Sequence, residues 1–345
     1  MSQGESGRRS TPEPGGAQGP TLGELGEDGI LRVVFAAFRD EEAAGGRVLV
    51  GPGDDTALLA TGGAVLATTD TVVAGRDWRD DWSTGRDVGA KVVAQNLADL
   101  AAMGGAGTGL LVTLVAPGHT PAAWVEDLTA GIAAAARAAR VPVIGGDLSS
   151  TEGPVMVSVT ALGELTVARP VLRSGARPGH VLAVAGPVGR SAAGLELLRA
   201  GWDGTTRRDL VDYHRAPTPD LAAGPAAAAA GASAMIDVSD GLVRDAGRLA
   251  RASAVLIDLD ADAVGAHAAA LTPELPEDVA LDCVLRGGEE HEMLATFPDG
   301  ALGALTGWMV IGRVREAGAQ GEAPAPGVRY RGEPLAGGGW DHFGG

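Results

Sequence analysis

Four times along this chain a short apolar run delivers aspartate beside glycine, serine or threonine. Arg47-Val48-Leu49-Val50 leads into Gly51-Pro52-Gly53-Asp54-Asp55-Thr56, and the strand pattern Gly63–Thr68 leads through Thr69 to Asp70. Val143-Ile144 runs into Gly145-Gly146-Asp147, and Met235-Ile236 ends at Asp237, followed by Val238-Ser239-Asp240-Gly241. Further strand patterns occupy Leu110–Val115, Val155–Leu162, Val181–Gly186, Ala254–Leu259, Met293–Phe297 and Trp308–Val314. Helical spacing separates several of them: Leu22–Phe38 (starting near Glu27-Asp28), Asp87–Met103, Pro121–Arg140, Ser191–Leu198 and the Ala-rich Pro219–Ala230. Strands interleaved with helices make an α/β chain, and in such architectures ligands gather beyond the strand ends.

The acids need a physical explanation. Between Val48 and Gly75 there is no Lys or Arg to neutralise Asp54, Asp55 and Asp70. Adjacent like charges repel, and burial strengthens the repulsion. A solvated Asp-rich turn explains any one of these sites; a divalent cation with oxygen ligands explains the set. The candidates are Asp54, Asp55, Asp70, Asp99, Asp147, Asp237, Asp240 and Glu289. Asn96 and Asp99 share one face of the Asp87–Met103 helix, either as an internal hydrogen-bonded pair or with Asp99 as a metal ligand. Ser239 as a helix N-cap accounts for itself but not for Asp237 and Asp240 together. Trp78 and Trp82 stand among charges in 76–82, either packed on the surface or offering a ring to a flat ligand.

A net charge of −17 excludes a basic nucleic-acid-binding face and a surface that adheres to anionic lipid. Such a protein handles phosphates only with metal ions between the like charges. A single cysteine, Cys283, excludes a disulfide framework and a cysteine zinc cluster, and its apolar setting reads as a buried, inert thiol. Oxygen donors with little histidine favour Mg²⁺, which normally shares its shell with substrate phosphates and water. Nucleotide phosphoryl transfer is therefore the leading chemistry, with metal-dependent phosphate hydrolysis and structural calcium binding as rivals. No Gly-Lys-Ser/Thr phosphate loop, Gly-x-Ser-x-Gly elbow or EF-hand is present. A phosphate acceptor is already ionised near neutral pH, so no general base is obligatory.

Residues 1–20 are polar and read as a disordered tail. With no apolar leader and no run long enough to span a bilayer, the expected location is cytoplasmic, with no membrane and no nucleic-acid partner. Turn-rich 169–179 divides the rest into 21–168 and 169–345.

The motifs together resemble the thiamine-monophosphate kinases, in the aminoimidazole ribonucleotide synthetase superfamily. They are Gly53-Asp54-Asp55, Thr69-Asp70-Thr71, Asn96–Gly104, Gly145-Gly146-Asp147, Arg173-Ser174-Gly175-Ala176, Asp237–Leu242, Gly287-Gly288-Glu289 and Trp340-Asp341-His342-Phe343. The resemblance covers about 21–343. It implies two α/β (α+β-like) domains, an N-terminal ATP- and metal-binding domain and a C-terminal one with a substrate-contacting tail. It also implies a homodimer formed by pairing of the N-terminal sheets. The implied reaction is direct in-line transfer of the γ-phosphoryl of ATP to thiamine monophosphate with several Mg²⁺ ions. Position by position, it places Asp55, Thr68, Thr69, Asp70, Asp99, Asp147, Asp237 and Asp240 at metal sites, with Asp54 orienting Asp55. Gly146, Arg173 and Ser239 would contact ATP; Glu289 and Trp340 would contact the acceptor.

Two departures stand out. Asp77-Trp78 replaces the family's common His-Phe, and Asp77 is expected to pair with the cationic acceptor in place of that His. His291 stands where the family has Tyr. Within the superfamily, the reactive Cys and nearby Lys of selenophosphate synthetase are missing from 1–60, and the terminal Cys of the hydrogenase maturation enzyme is missing from the end. Aminoimidazole ribonucleotide synthetase, or a non-catalytic nucleotide- and metal-binding subunit, is the remaining alternative.

Overall fold

The computed structural model describes residues 19–38, 47–50, 58–272, 274–318, 325–335 and 338. Asp54, Asp55 and Trp340 lie outside the described residues. Helix α1 (Leu22–Phe38), kinked at Gly26, precedes a two-stranded antiparallel pair, β1 (Val48–Val50) and β2 (Leu58–Leu59). Then come β3 (Val65–Val73), α2 (Gly85–Ala102), β4 (Gly105–Ala116), α3 (Ala122–Ala139), β5 (Val143–Ser150) and β6 (Met156–Leu165). These strands form a four-stranded sheet in the order β3-β6-β4-β5, with β4 and β5 the parallel pair. Val157, Val159, Ala161, Leu110 and Leu114 alternate along its inner face and pack on Val88, Val92 and Leu97 of α2 and Leu128 and Ile132 of α3.

The strands are longer than the apolar runs predict. β3 covers nine residues and β5 eight, so Asp70 and Asp147 sit within strands and not at their ends. Ladder pairing with β6 and β4 carries each strand through its polar residues. Helix α2 starts where a capping box forms: Thr84 and Asp87 bond each other's backbone N–H. It ends at Gly104, whose φ of +77° favours glycine.

Glycine also sets how closely α2 and α3 approach. A Cβ on Gly131 would overlap the Arg86 carbonyl, and one on Gly89 the Leu128 carbonyl. Gly131→Ala is therefore expected to lower stability by about 1–3 kcal/mol, read as a lower urea midpoint. An unchanged midpoint would mean that the helices part without cost.

The second half contains β7 (Val181–Ala185), α4 (Arg190–Arg199), α5 (Arg208–Arg215), α6 (Ala223–Ala229), β8 (Ala234–Asp237), α7 (Leu242–Ser253) and β9 (Val255–Leu259). It continues with α8 (Ala261–Ala269), α9 (Glu277–Arg286), β10 (Met293–Phe297), β11 (Trp308–Glu316), β12 (Gly327–Tyr330) and β13 (Glu333–Pro334). Helices α5, α8 and α9 are short and escape a periodicity reading. The strands form a seven-stranded, mostly antiparallel sheet ordered β13-β12-β9-β11-β7-β10-β8.

One face, with Leu182, Ile236, Ile257, Leu294 and Ile311, packs against Leu242 and Leu249 of α7 and Val284 of α9. The other, with Ala183, Met235, Met293 and Phe297, meets Ala98, Ala101 and Ala102 of α2 and Ala227 of α6. Helix α2 thus packs against both sheets. With aromatics at 3% of residues, alanine and glycine make the close seams between them.

Candidate functional site

A cavity of about 1560 Å³ opens where α2, β3 and the ends of β8 and α9 converge. Asp70, Asp77, Asp99, Arg173, Asp237, Ser239, Asp240 and Glu289 all line it. The alternation of β3 decides which of its residues can face α2. Thr68 and Asp70 point toward α2: Thr68 Oγ1 donates to Asp99 Oδ2 at 2.6 Å, and the Asp70 N–H donates to Asn96 Oδ1 at 3.1 Å. That second bond satisfies an outward N–H on an edge strand, so Asn96 is internal to the fold while Asp99 faces the cavity. Thr69 points to the opposite face, where its hydroxyl donates to the Val159 carbonyl at 3.0 Å. Gly146 and Asp147 lie on β5, at the far edge of the sheet from β3, and do not line the cavity. A side chain at Gly146 would overlap the Val112 carbonyl, which suffices to explain that glycine.

The acids feel one another. Asp99 is pushed up to about 6, first by burial and then by the charge of Asp237, with Asp70 adding and the Thr68 hydrogen bond opposing. Among the described residues, no three His, Cys, Asp or Glu groups close into a complete metal cage. Carboxylates that repel one another across an open cavity suit a hard cation that draws its other ligands from phosphate and water. The donor set fits Mg²⁺ with Asp70 and Asp99 at the cavity wall, Asp237 sharing one oxygen with His291, and Asp240 paired with Arg248 and Arg244.

Beyond β8, Ser239 is not a helix cap. Helix α7 begins at Leu242 after Gly241, whose φ is 118°. The backbone N–H groups of Ser239, Asp240 and Gly241 all donate to one oxygen of Asp245, at 3.1, 2.9 and 3.1 Å. The other Asp245 oxygen pairs with Arg248, which also reaches Asp240. A carboxylate from inside the helix thus caps the turn that carries Asp237 and Asp240.

The Gly287-Gly288-Glu289-Glu290-His291-Glu292 segment is pinned to this turn. Glu289 N–H donates to the Ser239 carbonyl and His291 N–H to the Val238 carbonyl, both at 2.8 Å. Its side chains alternate. Glu289 and His291 face the cavity, whereas Glu290 is fully buried and accepts from the Ser191 N–H at the start of α4. Glu292 bonds Arg190 and Tyr213. Burial pushes Glu290 up to about 8 and Glu292 up to about 7. His291 holds Asp237 Oδ2 through Nδ1 at 3.0 Å. Burial alone would lower its pKa, but the Asp237 bond and charge, with Glu289 and Asp70, raise it overall.

Asp77 lines the cavity while its carboxylate accepts from the Val73 N–H at 2.7 Å, closing the turn after β3. Trp78 is buried against Trp124, and Trp82 lines the cavity with the Arg79 guanidinium 4.2 Å from its ring centroid. Both rings therefore border the cavity, Trp78 as a buried side chain and Trp82 as a partly exposed one. Burial pushes the Cys283 thiol up to about 12, as an inert cysteine requires. Lys91, His214 and Asp245 belong to no motif, although Lys91 is marked as the chain's single lysine.

Two family models match this chain: AIR synthase related protein, N-terminal domain, over residues 53–165, and the corresponding C-terminal domain over 177–318. A thiamine-monophosphate kinase of Mycobacterium tuberculosis is 43% identical over 335 residues, spanning 95% of this chain and 94% of that relative. The crystal structure of thiamine-monophosphate kinase from Stenotrophomonas maltophilia superposes with a TM-score of 0.77 at 30% identity, covering 88% of this chain and 97% of that one. AaThiL complexed with AMPPCP and TMP superposes with a TM-score of 0.74 at 28% identity, covering 95% and 100%.

Proposed function

This chain belongs to the AIR synthase related family and to its thiamine-monophosphate kinases, and we propose that it makes thiamine diphosphate by direct in-line transfer from ATP with Mg²⁺. The observation that carries the chemistry is the meeting of Asp70 and Asp99 from the first sheet and its helix with Asp237 from the second. The similar AaThiL, complexed with AMPPCP and TMP, supports ATP and thiamine monophosphate as the two substrates.

In this reading Asp70, Asp99, Asp237 and Asp240 would hold Mg²⁺, joined by Thr68 beside Asp99 and by Asp55 beyond the described residues, while Thr69 on the opposite face of β3 and Asp147 on the far edge strand stand apart from this cavity. When bound, the metal supplies charge neutralisation between phosphate oxygens. The chain's own residues then position the reactants. Arg173 and Ser239 flank the nucleotide on the second-sheet side. Glu289 and Asp77 face the positive charge of the acceptor, and Trp340, beyond the described residues, would be a further contact to it. No cavity imidazole is needed as a base. His214 is pushed down to about 4 by burial and by Lys91, and His291 is committed to Asp237.

We place the domain boundary at 168/169, between β6 and β7. The half-exposed outer face of the first sheet, with Thr69, Thr71, Ser158 and Thr160, supports a homodimer formed through it. That pairing would bring a partner to Gly146 and Asp147. Among the described residues no helix is long and apolar enough to cross a membrane, and we propose a cytoplasmic enzyme.

Incubation of the pure protein with ATP, Mg²⁺ and thiamine monophosphate is expected to yield thiamine diphosphate and ADP. No product, with turnover of formylglycinamidine ribonucleotide instead, would overturn the substrate assignment. A stable phosphoenzyme trapped with labelled ATP alone would overturn direct transfer.

A further inference from the structure

The chain carries 27 Lys and Arg, and every one except Lys91 is arginine. Lys91 is not a surface residue. Its side chain is 3% exposed, two turns before Asp99 on α2, and its ammonium lies 2.9 Å from Glu289 Oε1. A buried ammonium without a partner is costly, so the pair must form for Lys91 to remain charged there. A compact point charge suits this enclosed contact, where the planar fork of arginine would need more room and more acceptors.

Glu289 is the other half of the argument. Its second oxygen lies 3.5 Å from His214 Nδ1, which also bonds the Ser191 hydroxyl at 3.1 Å. The carboxylate is thus held from behind by Lys91 at one oxygen, with His214 near the other, while about a third of the side chain remains open at the cavity wall. Its backbone φ of +59° follows two glycines, at a position where a third glycine would cost less. Keeping a glutamate there makes sense if the side chain is used. Burial, the largest influence on Glu289, would raise its pKa, but Lys91 first and His214 next bring it below the ordinary value. With His214 largely neutral, the ammonium of Lys91 is the main charge fixing this carboxylate.

On the reading that the acceptor is thiamine monophosphate, we propose that Lys91 is a positioning residue for it. Its ammonium holds the Glu289 carboxylate at the cavity wall, where that carboxylate meets the positive charge of the acceptor. Lys91 touches neither phosphate nor metal in this arrangement, so its loss acts on the acceptor and not on the nucleotide.

The test compares Lys91→Met, Glu289→Gln and the double variant for both substrates. Lys91→Met is expected to raise KM for thiamine monophosphate about tenfold, with KM for ATP unchanged. In the Glu289→Gln background the same change is expected to add nothing. If Lys91→Met alone does not fold, the double variant, which removes both charges, is compared with Glu289→Gln. An equal rise in both KM values, or a full further loss in the double variant, overturns the proposal.

Because the chain has one lysine, isotope-labelled lysine gives a single side-chain NMR signal. That signal is expected to move with Glu289→Gln and on adding thiamine monophosphate; no response to Glu289→Gln also overturns the proposal. This readout does not depend on turnover. Failure of the wild type to form thiamine diphosphate therefore counts against the substrate assignment and leaves the Lys91–Glu289 contact separately measurable.

Discussion

Asp99→Asn is expected to reduce kcat/KM by about a thousandfold and, in the same protein stripped of metal, to raise the unfolding midpoint. The first effect follows from removing a charge aimed at the proposed metal and phosphate site, where single electrostatic groups are worth about 10²–10³ in rate. The second follows from the repulsion the residue lives under. Its folded pKa is raised from 3.8 to about 6 by burial, Asp237 and Asp70. A carboxyl whose folded pKa is raised favours the native state while protonated. Stability is therefore full below about pH 4 and falls as pH rises toward 6, when the native state must also ionise. At neutral pH that costs at most about 3 kcal/mol. Asparagine keeps the shape and can still accept the Thr68 hydrogen bond, but it carries no charge. Unfolding in EDTA at pH 7 and steady-state assays at saturating Mg²⁺ check both halves. Activity within tenfold of wild type would remove Asp99 from the site. A lower midpoint without metal would show that the carboxylate is a structural asset and not a cost offset by function.

Asp245→Ala is expected to destabilise the protein by about 3–5 kcal/mol and to abolish most activity, although Asp245 does not line the cavity. The residue is fully buried, with one oxygen taking three backbone N–H groups and the other taking Arg248. Alanine leaves those donors without an acceptor and frees Arg248 to pull on Asp240 alone. The turn carrying Ser239 and Asp240 then loses the cap that fixes it. Asp245→Asn, which retains an acceptor oxygen, is expected to recover part of the stability. Chemical denaturation and kcat/KM together distinguish this from a direct catalytic role. A variant as stable as wild type would show that the N–H groups find other partners.

Much of the site was legible because its chemistry depends on residue type. An aspartate in a run without cations, or a glycine pair before glutamate, states its constraint locally. Asp70 and Glu289 carry such signals, Asp237 and Asp240 follow an apolar run, Asp99 shares a helix face with Asn96, and the cavity brings all five together. Side-chain direction was less legible. Thr68 and Thr69 look equivalent in sequence, yet the period of two along β3 sends them to opposite faces. Asp147 repeats the glycine-acid pattern but lies on the opposite edge of its sheet from Asp70. Ser239 looked like a helix cap, and the cap came from Asp245, one turn inside the helix, because Gly241 turns the chain first.

The sequence by itself determined the strand-and-helix character of the chain, the acidic oxygen-donor chemistry, the family motifs and the inert cysteine. Each depends on the residues present and on spacing within a few positions. Only the tertiary structure decided which acids share a cavity, that α2 packs against both sheets, and that Lys91 meets Glu289 across 198 residues of chain. Those outcomes depend on strand order, on the face each side chain takes, and on alanine and glycine seams that let α2 approach both sheets. None of these is a property of any local stretch of sequence.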